Sequence, residues 1–383
     1  MNHSLNRLDG LRSWLALPPQ PRDAGMVARD LAILAAVFLA ARVVAFAAIL
    51  QRGLPLVRSD GQNYIWIAES LLADGTLPTD QRQFPGFGIL IAILSWVTGA
   101  HPVLSGFILV LLPGTAAIWL FYLLTRNLRL SILLIFILPG WASTGIMSEG
   151  IGMLCLLCAV VAFGRTRSTV KGVAMASAAG LLMIIKPPLV LAVVPMGAVA
   201  AWEAMCGRRL DLLLRGMLFV LPFLVYVIWT MSTMGTWRPE AAEQLRYTIE
   251  QSRGYYPPKL MSWPGHSLIL GLLHPSESPL KQASVLGTVL VTLLAAVSLL
   301  AQGRRETPIG STGLLLGLGV LLYLIFHLFI GGPWGFNTLE RYLAQISPFI
   351  LVGLFRDWRP RAWVLIIGAL GSLGYTSMAG RKI

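Results

Sequence analysis

The chain has 383 residues, of which 56% are hydrophobic and 12% charged, and its mean hydropathy is +0.72. A water-soluble domain carries about 25% charged residues, so these values exclude a soluble globular enzyme, a disordered tail and a secreted disulfide scaffold. The formal net charge of +13 is spread in small basic groups between apolar runs. That spacing suits membrane orientation and argues against a nucleic-acid-binding face.

A spanning helix needs about 20 apolar residues. Eleven windows qualify as candidates for an all-α polytopic bundle: 30–51, 103–124, 130–146, 149–163, 172–186, 188–202, 216–234, 283–301, 311–330, 342–355 and 362–378. The first 29 residues carry Arg7, Arg12, Arg22 and Arg29 among prolines and lack the layout of a signal peptide, so they read as a retained cytoplasmic segment. The membrane domain then covers 30–378, with a short outer tail at 379–383. With the N-terminus inside, the short inner loops hold Arg126, Arg129, Arg165, Arg167, Lys171, Arg208, Arg209, Arg215, Arg304 and Arg305, as the positive-inside rule requires. Asp60, Glu69, Asp74, Asp80, Glu149, Glu240 and Glu340 fall on or near the outer side.

Two outer segments are long, 52–102 and 235–282, and long connections with their own order are usually functional. In the first, Tyr64, Ile65, Ala68, Leu71 and Leu72 share one helical face and Gln62 and Glu69 another, which predicts an amphipathic helix at the membrane surface. Residues 86–99 are apolar but short, and a full span there would invert every later loop, so they predict a re-entrant or interfacial helix. The second segment combines a polar stretch at 240–253 with an aromatic, proline-rich one at 254–266, like a lid or groove wall.

Cys155 and Cys158 stand in an apolar run without a second Cys/His pair, so they read as small residues on one buried helix face and not as a redox or metal site. Arg42, inside the first span, is costly facing lipid and is expected to face the bundle.

Asp60 stands just beyond the first span. A carboxylate there can take a proton from an attacking hydroxyl and stabilise a sugar's oxocarbenium-like transition state. It can equally be the first-turn anion of a helix started by a Ser59–Gln62 capping box, and the two roles are compatible.

Asp60 followed by Tyr64-x-x-Ile67-Ala68, a leucine-rich helix, Gly75 and a Pro85-Gly86-Phe87 start of another apolar helix resembles the GT-C superfamily of integral membrane glycosyltransferases. The nearest likeness is to the mannosyltransferase and aminoarabinose-transferase-like group. Ser148-Glu149, Lys186-Pro187 and Glu340-Arg341-Tyr342 resemble motifs that those enzymes carry in the same order, so the likeness covers roughly residues 30–355. The resemblance implies a polyprenyl-phosphate-linked sugar as donor, a lipid, glycan or protein acceptor, and Asp60 as general base. A direct displacement by that base inverts the anomeric centre.

Lys186 and Arg341 are then the candidate phosphate-binding residues, Arg341 through a planar fork that lysine lacks. Candidate sugar- or acceptor-binding residues are Glu149, Gln62, Tyr64, Tyr255, Tyr256 and His266. The family often places a second acid beside its first-loop Asp; here Asp60 is followed by Gly61, and no obligatory metal or other cofactor is expected. The alternatives are a transporter or flippase of lipid-linked sugars, which predicts ionisable residues at mid-depth, and a surface-polysaccharide polymerase or ligase. The expected location is the cell inner membrane, with the site on the periplasmic face.

Overall fold

A computed structural model describes residues 24–51, 60–78, 83–137, 145–164, 168–207, 209–238, 279–306, 312–329 and 339–355, together with residues 57, 81 and 240. Every element among the described residues is helical. In chain order they are α1 (Ala24–Leu50), α2 (Asp60–Asp74), α3 (Gly86–Thr98), α4 (Pro102–Thr125), α5 (Leu128–Ile137), α6 (Glu149–Phe163), α7 (Thr169–Gly180) and α8 (Leu182–Ile185). A 3-10 turn (Pro187–Ala192) leads into α9 (Val194–Met205), α10 (Asp211–Met234), α11 (Pro279–Glu306), α12 (Thr312–Phe329), α13 (Leu339–Gln345) and α14 (Ser347–Phe355).

Four helices are long and apolar enough to cross a bilayer: α1, α4, α10 and the Gln282–Gln302 part of α11. The other apolar helices are shorter. Proline chemistry explains two of the breaks. Pro187 and Pro188 remove successive amide donors, so the expected 172–186 and 188–202 windows are interrupted by the 3-10 turn. The 342–355 window breaks between α13 and α14, just ahead of Pro348. The 362–378 window lies outside the described residues.

The polarity of the bundle follows from α1 and α4, which pack antiparallel. Tyr122 donates to Asp30 at 2.6 Å, Phe38 lies against Gly114, and the Phe46 and Phe107 rings meet edge-on at 5.4 Å. The start of α1 therefore shares an end of the bundle with Arg126, and the end of α1 shares the opposite end with Pro102. At the Arg126 end, Arg126 itself takes the left-handed conformation (φ 53°) and Asn127 Oδ1 accepts from the Leu130 amide, turning the chain sharply into α5. At the other end, His101 Nδ1 accepts from the Val103 amide and Pro102 sits in the first turn, which fixes where α4 begins.

The segment between α1 and α4 folds as a helical hairpin of α2 and α3. Gly88 lets α3 come against Ile67 and the Tyr64 carbonyl, and the Tyr64 and Phe87 rings meet edge-on at 5.0 Å. The α2 face expected to pack holds for Tyr64, Ile65 and Ala68, with Ile67 fully buried as well. Leu72 is a correction: it is exposed, because α3 covers the first turns of α2 and not its last. The 13-residue α3 is about 20 Å long, too short to span.

Candidate functional site

Four charged side chains from distant parts of the chain meet at the α2 end of the bundle. Asp60 is the first residue of α2, Glu149 the first of α6, Lys186 closes α8, and Arg341 lies in α13. Arg341 Nη2 donates to Asp60 Oδ2 at 2.7 Å, and its Nε donates to Glu149 Oε1. Lys186 Nζ lies 3.8 Å from the same Glu149 oxygen. Gln83 Nε2 donates to Asp60 Oδ1 at 2.9 Å, so both oxygens of Asp60 are engaged. The formal charges of the four groups cancel.

Local sequence explains each placement. Asp60 and Glu149 both occupy the first turn of a helix, where the unpaired amides and the helix dipole favour an anion. Gly61 lets α2 approach Ile146, since a Cβ there would sit 2.9 Å from the Ile146 carbonyl oxygen. Gly150 lies against Gly114 and the Val110 carbonyl, which seats the start of α6 deep in the bundle. Lys186 is the residue where helical geometry ends ahead of the proline pair.

The cluster runs inward from the bundle end. Ile146, beside Asp60's neighbour Gly61, packs on Gly106, four residues into α4; Gly150 packs level with Val110 and Gly114. At about 1.5 Å per residue, Glu149 lies roughly 12–18 Å below the start of α4, near the middle of that helix. Side-chain exposure falls in the same order: Asp60 17%, Lys186 12%, Arg341 9% and Glu149 1%. Glu149 was open to being a surface-level carboxylate; instead it is buried. Its second oxygen, Oε2, has no hydrogen-bond partner among the described residues.

Of the other sequence candidates, Tyr64 is buried and shares a 3.1 Å hydrogen bond with Ser148 Oγ, one residue before Glu149. Burial pushes the Tyr64 hydroxyl well above its usual range, as do the Asp60 and Glu149 carboxylates, so it stays neutral. Gln62 lies on the exposed side of α2, away from the cluster. Tyr255, Tyr256, His266 and Ser59 of the capping box lie outside the described residues. Arg42 does face the bundle: it is 3% exposed, donates to the Ile135 carbonyl and lies over the Phe38 ring. Cys155 and Cys158 are unpaired and buried within α6, as small core residues would be.

Sequence reasoning missed three groups near the cluster. Gln83 holds Asp60, while Gln345 and His327 are buried beside the ion pairs. A fully buried Gln345 four residues after Arg341 is the kind of signal a helical-face count finds, because i and i+4 share a face.

An apolar cavity of about 260 Å³ adjoins the Lys186–Pro187 break. Phe84, Ile184, Pro187 and Phe223 are among its walls, and Arg238 and Glu240 are its charged members. Glu240 is held by Tyr226 at 2.6 Å and by Arg238 at 2.8 Å. Among the described residues no group of three or more His, Cys, Asp or Glu side chains is arranged to hold a metal ion.

Comparison with protein families, curated proteins and solved structures finds no match to this chain.

Proposed function

We propose that this chain is a membrane glycosyltransferase that moves a sugar from a polyprenyl phosphate to an acceptor hydroxyl on the outer face of the membrane. The observation that carries the reading is the convergence of Asp60, Glu149, Lys186 and Arg341, from positions up to 281 residues apart, into one partly open ionic cluster beside an apolar cavity. The chemistry asks for both parts. A phosphate on a prenyl chain needs cations next to a greasy wall, and the attacking alcohol needs a base.

The step is a single displacement. The acceptor oxygen attacks the sugar's anomeric carbon while the bond from that carbon to the phosphate oxygen breaks. The electron pair leaves with the phosphate, and the hydroxyl proton passes to Asp60. The donor is a phosphodiester with one negative charge, and cleavage leaves a second on the departing lipid phosphate. Lys186 and Arg341 neutralise it, which replaces a general acid. Arg341 grips both carboxylates in the absence of donor. Turning one guanidinium edge to the phosphate releases Asp60 Oδ2 for the alcohol, so donor binding unmasks the base. The cavity at the Lys186–Pro187 break takes the first isoprene units.

In this reading the shorter helices complete spans in pairs. The eleven-span topology then has a cytoplasmic N-terminus and a periplasmic site in the cell inner membrane. Sidedness supports it, because α4 separates Asp60 from Arg126 by the length of a bilayer core.

The test is transfer of radiolabelled sugar from a panel of polyprenyl-phosphate sugars, with a lipid extract of the host membrane as acceptor. Asp60→Asn is expected to lower the rate about 10²–10⁴-fold while the protein still purifies folded. Unaltered transfer by a folded Asp60→Asn protein rejects the base assignment.

One observation favours a second reading, transport of a lipid-linked sugar: Glu149 and Lys186 are charged groups near the middle of α4, where a translocation path would need them. A reconstituted Asp60→Asn protein that moves a fluorescent prenyl-phosphate sugar between leaflets, with no transfer by the native chain, would select it.

A further inference from the structure

Beneath the ion pairs lies a set of buried polar atoms that meet no hydrogen-bond partner among the described residues. They are Glu149 Oε2, both polar atoms of Gln345, and both ring nitrogens of His327. Gln345 is 0% and His327 5% exposed. An unpaired buried amide costs about 1–3 kcal/mol, so three such side chains in one neighbourhood call for a ligand that satisfies them.

Their positions are mutually consistent. Arg341 and Gln345 are four residues apart on α13 and so share a face; Glu149 and Gly152 are three apart on α6 and do the same. A Cβ on Gly152 would sit 3.7 Å from Lys186 Cγ and 3.9 Å from Gln345 Oε1. Gly152 thus leaves open the place where Gln345 faces the Lys186 stem, one turn below the Arg341–Glu149 pair. His327 is held on the same side. Its ring stacks on Tyr342 at 4.5 Å and 16°, with Tyr323 edge-on at 4.5 Å and bonded through its hydroxyl to the Tyr342 carbonyl.

The chemistry of these groups narrows the ligand. Lys186 and Arg341 disfavour a metal ion beside them, and a second anion would meet Glu149. A carboxamide offers a donor and an acceptor side by side, a carboxylate oxygen accepts, and an imidazole does one of each. That set matches a neutral group bearing several hydroxyls. Gln345 lies about 6 Å along α13 from Arg341, roughly the length of one hexose ring.

We infer that Gln345, His327 and the second oxygen of Glu149 form a subsite that reads the hydroxyls of the donor's sugar below the Lys186–Arg341 phosphate grip. This rests on the donor reading given under the proposed function. The acceptor approaches from the Asp60 side of Arg341 and the sugar lies on the Glu149 side, so the subsite sets which sugar is transferred and not whether phosphate binds.

The experiment titrates the full chain in detergent with methyl farnesyl phosphate, a sugar-free diester. The same titration is run with farnesyl phosphate diesters of mannose, glucose and arabinose. The native chain is expected to bind one of the sugar diesters at least about tenfold more tightly than the methyl diester. Gln345→Leu and His327→Phe are each expected to shrink that preference to about twofold and to leave methyl farnesyl phosphate binding unchanged. Neither variant should melt lower than the native chain, because replacing an unpaired buried polar group with an apolar one of similar shape relieves a cost; a purely structural role for either side chain predicts the reverse. Retention of the full sugar preference by both variants overturns the subsite while the donor reading stands. A native chain that binds all four diesters equally shows that these groups hold only water and overturns it too. A native chain that binds none of them refutes the donor reading, and the subsite with it.

Discussion

Arg341→Gln should unbalance the bundle in a way that its partner variant repairs. Arg341 touches Glu149 and Asp60, and Glu149 is 1% exposed. Removing one member of a buried ion pair costs about 3–5 kcal/mol, because a desolvated charge is left behind. Lys186, 3.8 Å from Glu149, offsets part of that, and Asp60 keeps Gln83, so a net loss of about 3–4 kcal/mol is expected. Unfolding entropy scales as about 2.1 cal/mol/K per residue, or about 0.8 kcal/mol/K for a chain of this length, so Tm should fall by about 4–5 °C. Glu149→Gln alone leaves Arg341 with Asp60 and should cost less, about 1–3 kcal/mol. The double variant carries two neutral amides in contact and should recover about 2 kcal/mol relative to the sum of the singles, or about 2–3 °C. The assay is tryptophan fluorescence during heating in one detergent at a fixed scan rate, since unfolding of such proteins is commonly irreversible. Shifts that add to within about 1 °C would refute the contact between Arg341 and Glu149.

Gly319→Ala should abolish folding or lower Tm by several degrees, since the added methyl would overlap the Ala192 carbonyl and force α12 off the 3-10 turn that follows Lys186; a native-like melting curve would count against that packing. Tyr64→Phe should cost about 1 kcal/mol through the lost Ser148 bond and should leave the fold intact, as read from the same melt. In the folded protein a maleimide should label Cys206, which is exposed, and spare Cys155 and Cys158, which are buried; mass spectrometry before and after denaturation counts the adducts. In sealed inner-membrane vesicles of known orientation, an impermeant maleimide should reach Cys206 only from the cytoplasmic side, and labelling from the periplasmic side would reverse the proposed topology.

Helix type and position were legible because a bilayer-length apolar run permits little else. Residues 103–124 and 149–163, read from composition, differ from α4 and α6 by at most one residue at either end. What composition could not give was the depth of each helix. The sequence has Glu149 starting a helix on the outer side, but only the contact of Gly150 with Gly114 reveals that this start lies well inside the bundle. Asp60, Glu149, Lys186 and Arg341 could be nominated singly because charges beside apolar runs stand out. Their mutual pairing could not, since no sequence spacing encodes a contact across 192 residues. Gln83, Gln345 and His327 escaped notice for the opposite reason: a neutral polar residue near a span is unremarkable until its burial is known.

The long chain separation between Glu149 and Arg341 bears on biogenesis. Their contact closes across 192 residues, and ribosomes add about 5–20 residues per second, so the acid reaches the nascent bundle about 10–40 s before its guanidinium is made. Lys186, only 37 positions behind it, emerges within the first few seconds and can chaperone the carboxylate meanwhile. The weaker of the two cationic partners in the finished protein is therefore the one that escorts α6 during insertion, and a chain lacking that lysine should stall in the translocon before its mature site is ever assembled.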